Sequence, residues 1–116
     1  MTEIPLPTNA QIESLIGING IADNPVTGIV TVIPGTAAEV FAGASAKVGR
    51  TLMVMKNTSE YSEAFRIRFG ESTITDERGF VLEAQDVVTL HFDPNVATAI
   101  YAIAETSPVE LEVLEV

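Results

Sequence analysis

The chain has 116 residues, 47% of them hydrophobic, and a formal net charge of -10 from 16 acidic and 6 basic side chains. That length and apolar content set the expectation of one folded domain with a modest core and argue against intrinsic disorder. With no cysteine, disulfides, thiolate metal sites and cysteine nucleophiles are excluded, and the acidity argues against direct binding of nucleic acid or an anionic membrane.

The N-terminal stretch MTEIPLPTNA has no basic region and no continuous apolar run, so it lacks the pattern of a secretory signal. No apolar run approaches membrane-spanning length, and the chain is expected to be soluble and made in the cytoplasm. EIPLPTN should be extended because of its prolines. In TNAQIESLIG, Thr8 stands three residues before Gln11, a capping-box spacing. Ile12, Leu15 and Ile16 then fall on one face of a short predicted helix that Gly17 stops. Residues 1–25 are therefore read as an arm, whose apolar face must be covered by its own domain or by a neighbour.

From Val26 onward the hydrophobic period is two. VTGIVTVI (26–33) is β-branched and ends at Pro34-Gly35, a turn signal. TAAEVFAGAS (36–45) is a weaker strand candidate. RTLMVMKN (50–57) is apolar on both faces, with Leu52 and Val54 on one and Met53 and Met55 on the other, as expected of a strand in the middle of a sheet. NTSEYS is a polar turn. AFRIRFG (64–70) alternates Phe65, Ile67 and Phe69 with Arg66 and Arg68, which places two arginines side by side on the second face.

ESTITDERG (71–79) is predicted as a short strand and loop closing on Gly79. FVLEA and DVVTLHF follow, the latter with Val88, Leu90 and Phe92 inward and Val87, Thr89 and His91 outward. Asp93-Pro94-Asn95 breaks the chain. TAIYAIA is apolar on both faces, and PVELEVLEV sets Val109, Leu111 and Val113 against Glu110 and Glu112. Short strands at close spacing, with no helical crossovers between them, predict an all-β antiparallel sandwich spanning residues 26–116, with a jelly roll a natural member of that class.

The motifs of catalysis are missing. His91 is the one histidine and no G-x-S-x-G nucleophile elbow accompanies it. One histidine without cysteine does not make a zinc site. Glu71, Asp76 and Glu77 lack the ligand spacing of a calcium loop. Few aromatic residues and no tryptophan count against a sugar-stacking cleft. No cofactor, metal or enzymatic activity is expected.

Charge is segregated along the chain. Lys47, Arg50, Lys56, Arg66, Arg68 and Arg78 are all the basic residues, whereas the final segment holds Glu105, Glu110, Glu112 and Glu115. Folding or association can bring the two together. Arg66 and Arg68 have two readings: a strand face paired with carboxylates of a neighbour such as the Glu110/Glu112 strand, or a strip that docks an acidic surface of another subunit.

From about Lys47 to its end, the chain resembles the capsid decoration, or cement, proteins of tailed bacteriophages. The similarity runs through GRTLMVMKNTSEYSEAFRIRFGEST, a strand, N-x-S turn and strand ending in glycine. It continues in ITDERGFVLEAQDVVTLHF, with its Gly-aromatic-x-Leu segment, and in ATAIYAIAETSPVELEVLEV, an Ile-Tyr-Ala strand and closing acidic hairpin. Similar strings occur in phage fibre, baseplate and other head-associated domains. The resemblance implies a jelly-roll-like sandwich without enzymatic activity, a homodimer or homotrimer on the outside of the virion capsid that clamps neighbouring major capsid proteins. Ile12, Leu15, Ile16, Arg66 and Arg68 are the partner-binding candidates on this reading.

Overall fold

The computed structural model describes residues 25–116. Eight strands follow one another: β1 (Val26–Val32), β2 (Ala38–Glu39), β3 (Leu52–Asn57), β4 (Ile67–Gly70), β5 (Phe80–Leu82), β6 (Val87–His91), β7 (Tyr101–Ala104) and β8 (Val109–Glu115). Among the described residues there is no α-helix, and one 3-10 turn, Glu63–Phe65, leads into β4. The expected arm and its short helix lie outside the described residues.

The strands form two four-stranded sheets, ordered β1-β8-β3-β6 and β2-β7-β4-β5. Every strand pairing is antiparallel. Four of those pairings are nested: β4 with β5, β3 with β6, β2 with β7 and β1 with β8. The middle of the chain is thus a hairpin, and each earlier strand finds its partner one step later on the return path.

The core lies between the sheets. Val32, Met53, Met55, Val109, Leu111 and Val113 from the first sheet meet Ile67, Phe69, Leu82, Ala102 and Ala104 from the second. Val88, Leu90 and Phe92 pack against this cluster from β6 and its end, the inward set that the alternation predicts. The double-faced pattern of β3 has its reason in the sheet order: the strand sits between β8 and β6. Its Met53 and Met55 enter the main core while Val54 and Leu52 join a second cluster with Leu114, Val116 and Val87. β7, the other strand apolar on both faces, is likewise central, between β2 and β4.

Three segments differ from the sequence reading. TAAEVFAGAS contributes only the two-residue β2, since Ala42–Ser45 turns away and its carbonyl at Ala42 lies against Gly28. Gly28 is required there, because a Cβ would stand 2.1 Å from that oxygen. Phe65 is in the 3-10 turn rather than the strand, although it still packs on the core. Residues 71–79 form no strand. They make a loop closed by a single Thr75–Arg78 bridge, since β5 already occupies the β4 edge.

Candidate functional site

Arg66 and Arg68 sit where β4 runs beside β7. The register pairs Ile67 with Ala104 and Arg68 with Ile103. One step further, the Glu105 amide donates to the Arg66 carbonyl at 3.1 Å, which sets the Glu105 side chain on the same outer face as the arginines. Arg66 donates to Glu105 Oε1 through Nε at 3.1 Å and Nη2 at 2.9 Å. Arg68 donates to Oε2 through Nε at 2.9 Å and to the Gly79 carbonyl at 3.2 Å. One carboxylate is therefore gripped by two guanidiniums, with side-chain exposures of 11% for Glu105, 32% for Arg66 and 22% for Arg68.

Partial burial acts to raise the Glu105 pKa, but the hydrogen bonds and positive charges of Arg66 and Arg68 outweigh it. The carboxyl is held below its ordinary value of 4.5. The partner is therefore intramolecular, and it is not the Glu110/Glu112 strand named as the example. β8 belongs to the opposite sheet, and its Glu112 lies across from Lys56 on β3 instead. Charge-assisted pairing at this geometry stiffens the strip.

A second ion cluster is buried. Glu115 continues the inward alternation of Val109, Leu111 and Val113, and its side chain is 0% exposed. It pairs with Arg50, itself 5% exposed, and accepts the amides of Ala42 at 2.8 Å and Lys47 at 3.2 Å. Arg50 also donates to the Thr98 carbonyl and stacks over Phe92 with its guanidinium carbon 4.6 Å from the ring centroid. One carboxylate thus ties β8 to the 40–50 loop, and its arginine ties both to the 93–99 loop. Between those loops opens a cleft of about 390 Å³ whose rim includes Glu39, Lys47, Val48, Pro94 and Val96.

Asn57 is the third buried polar group. Its side-chain amide donates to the carbonyls of Phe65 at 2.7 Å and Leu82 at 3.3 Å, and its Oδ1 accepts the Ser59 amide at 3.1 Å. It joins the end of β3 to the 3-10 turn and to β5.

Sequence reasoning gathered Arg66 and Arg68 and set the acidic end, with Glu105 and Glu115, against the basic middle, with Arg50, but it assigned neither the Glu105 nor the Glu115 pairing and did not single out Asn57. The signal for Glu115 was available. A glutamate at the next inward position of a strand whose earlier inward positions are Val, Leu and Val demands a buried cation. Ile12, Leu15 and Ile16 lie outside the described residues. His91 is exposed on β6, as expected. Among the described residues, Glu71, Asp76 and Glu77 join no group of three or more potential ligands placed to hold a metal ion. Among the same residues, no helix is long and apolar enough to cross a membrane.

In comparisons with known proteins, no protein-family model, no curated protein and no solved structure matches the chain.

Proposed function

We propose that this chain is a structural virion protein that binds the outer surface of a tailed-bacteriophage capsid and stabilises contacts between major capsid proteins. The observation that carries the reading is the strand arrangement. Nested pairing of β1·β8, β2·β7, β3·β6 and β4·β5 across two four-stranded sheets supports reading the sandwich as a jelly roll, an architecture that recurs in viral capsid domains. Lectins and cupins share that architecture, so fold alone does not choose among them. The sequence resemblance from Lys47 onward tips the balance toward the capsid.

On this reading the protein is made in the host cytoplasm and resides on the virion as a homo-oligomer, without catalysis, cofactor, nucleic-acid or membrane contact. The Arg66–Glu105–Arg68 strip supports a docking role, since its guanidiniums are pre-oriented and partly exposed. Ile12, Leu15 and Ile16 supply the apolar contact of the arm with a neighbouring subunit. Many copies on a lattice turn modest single contacts into firm attachment.

Quantitative mass spectrometry of purified particles, scaled to the major shell protein, tests the proposal. Copies comparable to the shell protein are expected. A handful per particle would reassign the chain to a tail fibre, baseplate or host-recognition part, and absence from particles would overturn the virion reading altogether.

A further inference from the structure

Sheet edges in this protein are unequal. In the second sheet they are the two-residue β2 and the three-residue β5, short enough to offer little for another chain to pair with. The first sheet has two longer edges: β6, five residues closely bounded by Asp86 and Asp93, and β1, seven residues, Val26–Val32, paired along its full length to β8 on one side. Among the described residues nothing pairs with the other side of β1. β1 carries none of the features that protect an edge: no charge, no internal proline and no shortness. Six of its seven residues are β-branched. No charged residue occurs anywhere from Asn24 to Ala38, in a chain of net charge -10.

The strand is also close to a palindrome. Written about Ile29, VTGIVTV reads Val-Thr-Gly-Ile-Val-Thr-Val, so its two halves differ only at Gly28 and Val30. We infer that β1 pairs antiparallel with β1 of a second copy of this chain, about a two-fold axis through Ile29, joining two four-stranded sheets into one continuous sheet. In that register Ile29 lies on Ile29, Thr27 on Thr31 and Val26 on Val32, with Gly28 against Val30. Thr–Thr and β-branched pairs are among the favourable cross-strand neighbours. A two-fold contact must be self-complementary, and a palindromic strand meets that demand by itself.

Two further observations fit. Ile29 points outward and is 66% exposed, an apolar group whose free flank would pack against the opposed Ile29. Pro25 and Pro34 bracket the strand, and neither can donate to a ladder, so the joint is limited to the uncharged span. β1 is the longer of the two first-sheet edges and is uncharged through its flanks, whereas β6 has Asp86 directly before it and Asp93 two residues after it, and this explains why β1 is the edge used. Two bodies of like net charge repel, and they meet at least cost where neither presents a charged group. The inference does not depend on the virion reading.

The test uses the full chain. Sedimentation and light scattering should give a dimer or an even-numbered assembly for the native protein, and Ile29→Lys should halve the mass. That substitution brings the net charge closer to zero, so lost association would not be a general charge effect. Val96→Lys, at a residue 56% exposed on a different loop, should leave the mass unchanged.

Because the chain has no cysteine, Ile29→Cys provides a readout that does not rely on disrupting the fold. Paired strands place opposed Cα atoms within disulfide range, so this variant should oxidise to a covalent dimer faster than Val48→Cys, a residue 91% exposed. A mixture of Thr27→Cys and Thr31→Cys chains should cross-link to each other rather than to themselves. Three results would each overturn the pairing: a native monomer at every concentration, an assembly whose mass ignores Ile29→Lys, or Ile29→Cys oxidising no faster than Val48→Cys.

Discussion

Removing the Glu115 carboxylate should be among the most damaging single changes in the protein. Glu115→Ala leaves Arg50 charged at 5% exposure with no counterion and deprives the Ala42 and Lys47 amides of their acceptor. Truncating one partner of a buried pair costs about 3–5 kcal/mol, because the surviving charge stays desolvated. Total stability for a domain of this kind is of order 5–15 kcal/mol, so the loss is a large share of it. It should lower the thermal midpoint by roughly 10–20 °C and the urea midpoint by on the order of 2 M. Arg50→Met should cost somewhat less, since Glu115 keeps two amide donors. The double variant Arg50→Met/Glu115→Ala removes both charges but still orphans those amides, at about 1–3 kcal/mol for each one that water does not reach. Its loss should therefore fall short of the sum of the singles by about 2 kcal/mol or more, the coupling of a shared network. With no tryptophan in the chain, far-UV circular dichroism in urea is the natural assay. Additive singles, or a Glu115→Ala loss below about 1 kcal/mol, would refute the claim that this pair is desolvated and mutually dependent.

Three other outcomes follow from the polar clusters. The lowered pKa of Glu105 means its contribution to stability is complete above the ordinary value of 4.5 and is lost as pH falls through the lower folded-state value; Glu105→Gln should flatten that acid limb in pH-dependent unfolding. Replacing Arg66 or Arg68 singly by Gln should cost at most about 1 kcal/mol, because each is partly exposed and the other arginine remains. The double change should weaken shell docking more than it lowers the melting temperature, and a fall in stability without a fall in docking would confine the strip to an intramolecular role. Asn57→Asp keeps the size but loses both donations to the Phe65 and Leu82 carbonyls. It should cost about 2–4 kcal/mol by the penalty on buried unpaired groups, measured by the same urea titrations.

The parts of the fold legible in the sequence were those set by period. Alternation placed β1, β3, β6 and β8 and their inward residues, because each strand has one face on a dry core. The double-faced run at Leu52–Met55 pointed to a central strand, and β3 proved central; β7, from the similarly double-faced TAIYAIA, is central too. What alternation does not encode is partner choice. Nothing in AFRIRFG says that β4 will lie beside β7 rather than β8, and so the arginines were matched to Glu110 and Glu112 rather than to Glu105. The 71–79 segment has strand-like residues but no vacant edge beside it, since Phe80–Leu82 fills the place next to β4. Buried Glu115 and Asn57 were read through their polarity, and burial overrode it because a specific partner waits for each.

The position of β8 has a consequence for how the molecule comes into being. β8 lies between β1 and β3 and, among the described residues, is the sole strand that joins them, yet it leaves the ribosome after the other seven described strands. The hairpin of β4 and β5 closes over a short loop and can form early, whereas β1 must wait for a strand almost the whole described chain away. Such distant pairing is slow to find, because loop closure must be completed before the contacts reward it. Until β8 arrives, β1 has no strand partner among the described residues and β3 lacks one neighbour. The nascent chain should thus pass through a stage in which one sheet is sealed and the other is open. That window, rather than the finished protein, is where aggregation and chaperone dependence should concentrate.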